Sequence, residues 1–284
     1  MLRNYVIKLK ESLRTFVNLF LLFLLFLLLI IGTHSAGAEI NNDGDLHIKE
    51  TSTRILKKIK TKDAYIRTAY ISGKVKYSLP FDKKLKLYKT YKIQRDSNIH
   101  IKIYILLRLK VADFVSNTNL VKYKRIRKRV KIRKTSEFNL NIFNKHLDFD
   151  LTIQELNNLL LGLSLVELGN GEYSSKIIDD QLIIDQDDIQ TSIDIKTAEI
   201  TNISINSKRR VAEIVFSEFV PIYNNKLIDT KTNKHPLITL ENGSILRLPR
   251  KITLVTPNFT MKIYHENDIV VNNKINQKEF LINK

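Results

Sequence analysis

Residues 237–248, Leu237-Ile238-Thr239-Leu240-Glu241-Asn242-Gly243-Ser244-Ile245-Leu246-Arg247-Leu248, set two aliphatic, β-branched runs on either side of Asn-Gly. Asn and Gly tolerate the two positive φ angles of a type I′ turn, whose twist matches the strands it joins, so this stretch predicts an antiparallel hairpin. Outward from it the same texture continues. Lys251–Val255 and Asn258–Tyr264 read as strands downstream. Gln181–Ile184, Ile189–Ile195, Ile200–Ile205 and Val211–Val220 read as strands upstream, with Asn206-Ser207-Lys208-Arg209 joining the last two. Further back, Gly169-Asn170-Gly171 is a turn. Ahead of it, Thr152-Ile153-Gln154-Glu155 is a capping box, in which Thr152 accepts from the amide three residues on and Glu155 reaches back. Leu156, Leu159, Leu160 and Leu163 then form one apolar stripe of a helix.

The first half of the chain alternates as well. Tyr65–Ser72 leads through Gly73 into Lys74–Leu79. Leu85, Leu87, Tyr88 and Tyr91 mix with lysines, and Ile99–Ile105 places Ile at every other position. These β-branched and aromatic alternations are strand patterns. Thr51–Lys62 reads as a short basic helix capped by Thr53, with Ile55 and Ile59 on one face. The fold class predicted is α+β, mainly β: two β-rich modules after an N-terminal hydrophobic helix.

The 284 residues are 43% apolar and 27% charged, a globular composition that excludes disorder throughout. With 8 Gly and 5 Pro the chain is no collagen or low-complexity array. The absence of Cys removes disulfide scaffolds, thiol catalysis, iron–sulfur clusters and Cys-ligated zinc. The net charge of +18 points to an anionic partner. That excess is local: Glu39–Lys134 holds 27 Lys/Arg against 8 Asp/Glu, whereas Thr135–Lys284 holds 16 against 20. The asymmetry predicts a basic module over 39–134 and an acidic-to-neutral module over 135–284, with a soft boundary near Thr135–Leu151.

Leu19–Ile31 is an unbroken apolar run, preceded by Arg3, Lys8, Lys10 and Arg14 and followed by Glu39, Asp43 and Asp45. It is shorter than the roughly 20 residues of a membrane span and matches a signal-peptide core of about 7–15. Ala36-Gly37-Ala38 supplies the small residues of a peptidase site, so residues 1–38 read as a signal peptide cleaved after Ala38. The alternative is an uncleaved anchor in an inner membrane through residues 16–32, with a cytoplasmic N-terminus. Either case sends Glu39–Lys284 out of the cytoplasm, to the periplasm of a bacterial envelope.

Motifs for chemistry are mostly missing. No two of the six histidines stand four apart, so no zincin helix is present, and no metal ligand set or cofactor is expected. Gly162-Leu163-Ser164-Leu165-Val166 lacks the second glycine of a nucleophile elbow. Asp179, Asp180, Asp185, Asp187 and Asp188 are dense enough to suggest Ca²⁺. Counted from Asp185, however, Gln190 and Lys196 stand where a calcium loop needs Gly and Glu, so the cluster reads as a solvated strand edge. The dense feature is Lys122–Lys134. Lys122, Lys124, Arg125, Arg127, Lys128, Arg129, Lys131, Arg133 and Lys134 are 9 basic residues in 13, interleaved with Tyr123, Ile126, Val130 and Ile132. In the cytoplasm such a stripe suits nucleic acid. Export removes that partner and leaves anionic lipid, acidic glycan or an envelope protein. A solvent-facing strand whose charges block edge pairing is the plain alternative.

The C-terminal half resembles the exported flagellar P-ring assembly chaperones, which carry a β-rich SAF-type domain. The residues concerned are Thr152–Leu163, Ile200–Ile205 turning into Arg209–Phe216, and Tyr264–Leu281 with Asp268-Ile269-Val270-Val271, Ile275 and Phe280. That family's glycines and paired-proline strand start are missing here. The resemblance implies a non-enzymatic periplasmic chaperone that binds an assembling subunit. The residues themselves lead to an exported, non-enzymatic envelope protein whose Lys122–Lys134 segment meets an anionic surface or an envelope protein. A single-span membrane protein is the alternative if the leader is retained. An envelope enzyme using acids such as Asp187 and Asp188 has no support in the spacing.

Overall fold

The computed structural model of the chain describes residues 42–78, 85–95, 98–105, 109–126, 129–142, 147, 149–208, 210–224, 236–266 and 269–282. The leader, with Leu19–Ile31, Ala36 and Ala38, lies outside the described residues. Among those described, no helix is long and apolar enough to cross a membrane. The chain divides into two compact units, Met1–His47 and Ile48–Lys284, and the second carries the features that follow.

The fold is α+β and mainly β. Helix α1 (Asn42–Tyr65) is followed by strands β1 (Thr68–Ser78), β2 (Leu85–Gln94), β3 (Asn98–Ile105), β4 (Leu109–Ser116), β5 (Leu120–Arg125) and β6 (Lys131–Lys134). Two 3-10 turns, Thr135–Glu137 and Leu140–Ile142, lead to helix α2 (Ile153–Leu161). Then come β7 (Ser174–Ile178), β8 (Gln181–Gln186), β9 (Ile189–Asp194), β10 (Ile200–Asn206), β11 (Val211–Pro221), β12 (Arg247–Val255), β13 (Thr260–His265) and β14 (Val270–Val271), and a 3-10 turn at Gln277–Phe280.

All strands join one antiparallel sheet in the order β6-β5-β4-β3-β2-β1-β13-β12-β11-β10-β9-β8-β7, with β14 also on β1. The basic and the acidic segments therefore share a sheet, and β1 against β13 is where they meet. The register shows why one face is apolar. Tyr77, Met261, Leu254, Ile214, Ile203, Thr191 and Ile184 stand in a single row across seven strands. Ile71, Tyr91, Ile101 and Phe114 form a second row. Period-two alternation puts each row on one side of the pleat. Apart from the buried Thr191, these residues belong to one buried cluster with Ile55, Leu56 and Ile59 of α1 and Leu156, Leu159 and Leu160 of α2, so both helices lie on this face.

Several local expectations change. The helix expected at Thr51–Lys62 begins at Asn42, and Thr53 is interior, its hydroxyl donating to the Lys49 carbonyl at 2.8 Å. A side chain bonded one turn back is not free to cap. The 237–248 hairpin forms, but its own pairing is reduced to the bridge Thr239–Ile245; Leu237 bridges Tyr223 outside it, and Arg247 opens β12. Its turn is not type I′: Gly243 (φ 78°) is positive and Asn242 is not. Gly243 N–H donates to Leu240 O and Leu240 N–H to Ser244 O, both at 2.8 Å. That is a type I turn closed by a left-handed glycine, the three-residue hairpin loop. The two positive φ angles of a type I′ turn occur instead at Asp179 (46°) and Asp180 (61°), between the paired Ile178 and Gln181. Asp187 (φ 54°) and Asp188 close the next hairpin, between Gln186 and Ile189. The acidic cluster is thus largely turn chemistry, since short carboxylate side chains tolerate this conformation.

The capping box of α2 is present, with Glu155 N–H to Thr152 Oγ1 at 3.0 Å and Thr152 N–H to Glu155 Oε2 at 2.7 Å. Gly162 ends the helix in the left-handed region (φ 65°). A side chain there would strike the Pro249 ring at 2.5 Å. That close fit seats the C-terminal end of α2 on β12.

Candidate functional site

The face under α2 contains a residue that its alternation does not predict. Along β2, Leu87, Lys89, Tyr91 and Ile93 share the inward phase, and Lys89 is only 2% exposed. Its Cα partners are Gly73 on β1 and Ile103 on β3, and Gly73 in turn faces His265 on β13. Lys89, Gly73 and His265 therefore form one inward row. A Cβ at position 73 would sit 1.9 Å from the Tyr264 carbonyl oxygen, so only glycine fits where β1 and β13 approach. Lacking a side chain, Gly73 leaves the row open at its middle, and Lys89 reaches across to His265. Nζ lies 3.4 Å from His265 Nδ1 and 3.7 Å from the centroid of the Tyr91 ring.

The protonation pattern follows from the partners. His265 Nε2 is 2.9 Å from the Leu160 carbonyl oxygen, which can only accept, so Nε2 carries the hydrogen. Nδ1 is then an acceptor for the Lys89 amine. Burial holds the Lys89 amine well below its ordinary range, with the Glu266 carboxylate opposing weakly. Burial first, and Lys89 second, hold His265 well below the usual imidazole range. Both shifts favour the uncharged forms of the pair. His265 also ties the sheet to α2 through the Leu160 carbonyl.

Around Lys89 the walls are apolar. Leu156 and Leu160 of α2, Leu140 and Leu147 of the segment before it, Val75 and Tyr77 of β1, Leu87 and Tyr91 of β2, Ile101 and Ile103 of β3, and Met261 and Ile263 of β13 line a space of about 80 Å³. A water molecule's share of liquid volume is about 30 Å³, so the space admits a short alkyl segment and a longer chain must displace its cover. That cover is α2, nine residues long, with Leu140 and Leu147 beside it. Two larger grooves are open and mixed in polarity. One, of about 940 Å³, runs along α1 past Thr53, Lys57, Lys60 and Arg67. The other, of about 860 Å³, lies between Thr135–Asn139 and Asn206–Arg210. Neither brings a buried titratable group to its floor.

The basic residues expected from 122–134 fall on a hairpin at one end of the sheet rather than on one long strand. Leu120–Tyr123 pairs with Lys131–Lys134 in reverse register. The local reason is alternation: Val121 is buried and Tyr123 packs on the core, while Lys122 and Lys124 point to the other face. Lys124, Arg129, Lys131, Arg133 and Lys134 are exposed and Lys122 is half-buried. Arg125 differs, because its guanidinium donates to the Ile142 carbonyl and so braces the segment before α2. Arg127 and Lys128 lie outside the described residues. Exposed Ile126, Val130 and Ile132 stand among these charges. Of the acidic cluster, Asp180 pairs with Lys196 at 2.6 Å and Asp185 accepts from Gln190 at 2.7 Å.

Sequence reasoning did not find Lys89. The signal exists, a lysine in the Leu87–Tyr91–Ile93 phase, but Lys86, Tyr88 and Lys92 in the opposite phase blur it.

Two solved structures share this fold across nearly their whole length. A LolA superfamily protein from Nitrosomonas europaea matches with a TM-score of 0.51 at 10% identity, over 81% of this chain and 97% of that one. A DUF1329 family protein from Desulfovibrio piger matches with a TM-score of 0.50 at 11% identity, over 82% and 97%. No family model matches the sequence, and no curated protein matches it. At such identities the likeness is one of fold. It replaces the resemblance to flagellar P-ring chaperones. The stretches behind that resemblance are not a separate SAF-type module: β13 and β14 both pair with β1, and Gln277–Phe280 packs on β3 and β4. Hairpin patterns common to many β proteins account for that resemblance.

Proposed function

We propose that this protein is an exported, non-enzymatic carrier of the bacterial envelope that holds an acyl chain of a lipid, or of a lipid-modified protein, between its sheet and α2. The observation that carries this reading is the cavity between sheet and α2, whose walls are apolar apart from Lys89. An apolar space with one placed polar group suits a hydrophobic ligand, and an acyl chain enlarges its volume of about 80 Å³ by displacing the cover. The LolA-type fold supports the reading, and so do the apolar run and the Ala36-Gly37-Ala38 triplet, which favour export to the periplasm. The basic hairpin adds a docking role. With Lys122, Lys124, Arg129, Lys131, Arg133 and Lys134 on an edge carrying Ile126, Val130 and Ile132, it suits an anionic membrane surface from which a chain is taken or to which it is given.

The test is binding of an uncharged, environment-sensitive naphthylamine probe to the full chain, compared with Ile103→Trp. The indole fills the cavity from β3 and, in a protein without Trp, also reports its own surroundings. Probe emission is expected to rise with the wild-type chain and to fall at least about tenfold in apparent affinity with Ile103→Trp, the loss of several buried methylenes' worth of contact. Equal binding by both would place the probe elsewhere and overturn the reading.

A further inference from the structure

We infer that Lys89 is a headgroup anchor, and that the cavity takes a single-chain amphiphile carrying a carboxylate, bound head inward. This deepens the acyl-carrier reading and rests on it. The geometry is unusual for a structural lysine. Its side chain lies in the wall of an apolar cavity, where Leu, Ile or Met would seal better and carry no polar atom to desolvate. An amine brings two hydrogens and an ammonium three, and the acceptor present is His265 Nδ1 at 3.4 Å. Among the described residues no carboxylate answers it: the acid whose field reaches it, Glu266, is held 3.0 Å from Lys74. The gap that Gly73 leaves in the row lets Nζ stand free of a neighbouring side chain on that strand.

A fatty acid would complete this arrangement. A carboxylic acid entering with its proton passes it to Nζ, giving a carboxylate and an ammonium with no net charge buried. The ammonium gains a charge-assisted acceptor, keeps His265 Nδ1, and lies over the Tyr91 face, which favours a cation. The tail then runs along Ile101, Ile103 and Leu156 toward the cover. A carboxylate is also the compact anionic headgroup.

The experiment is displacement of the same naphthylamine probe from the full chain by dodecanoic acid and by dodecanol, which differ at the headgroup. In the wild type the acid should displace at a concentration at least about tenfold lower than the alcohol, the worth of a hydrogen bond to a charged group. In Lys89→Met the two should become equal while the alcohol still displaces. The wild-type comparison needs no variant. Equal displacement by acid and alcohol in the wild type, or a preference that survives Lys89→Met, would overturn the anchor. Failure of both compounds to displace the probe would overturn the acyl-carrier reading with it.

Discussion

Leu160→Ala tests whether α2 is a packed cover over the cavity. Leu160 is 1% exposed, lines the cavity, and belongs to the helix whose carbonyl receives His265. Truncation leaves that backbone hydrogen bond in place and removes three carbons. Their transfer back to water costs about 0.8 kcal/mol each, roughly 2.4 kcal/mol together. The void left behind adds about 24 cal/mol per Å³ that fails to relax, so ~50 Å³ adds about 1.2 kcal/mol. Relaxation is restricted because Gly162 is wedged against Pro249 and the capping box fixes the other end. The expected loss is therefore about 3–4 kcal/mol by denaturant unfolding, inside the usual Leu→Ala range. The enlarged cavity should also bind an alkyl ligand, which returns stability in proportion to RT ln(1 + [L]/Kd). Dodecanol at saturating concentration should raise the variant's midpoint more than the wild type's. A loss below about 1 kcal/mol would mean that α2 is not packed on the sheet as described.

Three further outcomes follow. Gly73→Ala drives a methyl into the Tyr264 carbonyl at 1.9 Å, a backbone atom that cannot swing away, and should cost about 2–3 kcal/mol in chemical denaturation; an unchanged midpoint would contradict the β1–β13 approach. Thr152→Ala removes the cap of α2 and should cost about 1 kcal/mol, with Thr152→Ser restoring most of it in thermal melts. Burial pushes Asp63 up to about 6 from 3.8, against the opposing Arg95 and Lys62. Its protonated form favours the fold, so this contribution is full below pH 4 and is lost as pH rises through about 6. Asp63→Asn should flatten the pH 4–7 stability profile by about 1–2 kcal/mol, the side chain being one-quarter exposed and partly screened; a profile with the same slope would assign that titration to another group.

The strands were readable because their inward positions are Ile, Leu, Val, Phe or Tyr at a strict period of two, as in Ile99–Ile105 and Gln181–Ile184. The capping box at Thr152 was readable for the same reason, that its signal is local. The start of α1 was not, because 24 residues of mixed polarity carry only a narrow stripe at Ile55, Leu56 and Ile59. Its helicity comes from the sheet it packs on rather than from its own pattern. Turn type was misassigned at Asn242-Gly243 because a single Gly serves both a type I′ turn and a type I turn with a left-handed third residue. The Lys89–Gly73–His265 row could not be read at all. It joins residues 176 positions apart, and alternation says which face a side chain takes but not which strand lies next to it. The basic run was legible as charge. Its division into two antiparallel strands, and the diversion of Arg125 to the Ile142 carbonyl, depend on register that charge does not encode.

The most direct measurement is photo-crosslinking of the full chain with a diazirine-bearing dodecyl alcohol, followed by peptide mapping. The account predicts adducts on the cavity walls, in the peptides holding Leu87–Tyr91, Ile101–Ile103 and Leu156–Leu160, and their loss in Ile103→Trp. Adducts confined to the apolar run at residues 19–31 or spread over the exposed strand edges would contradict it.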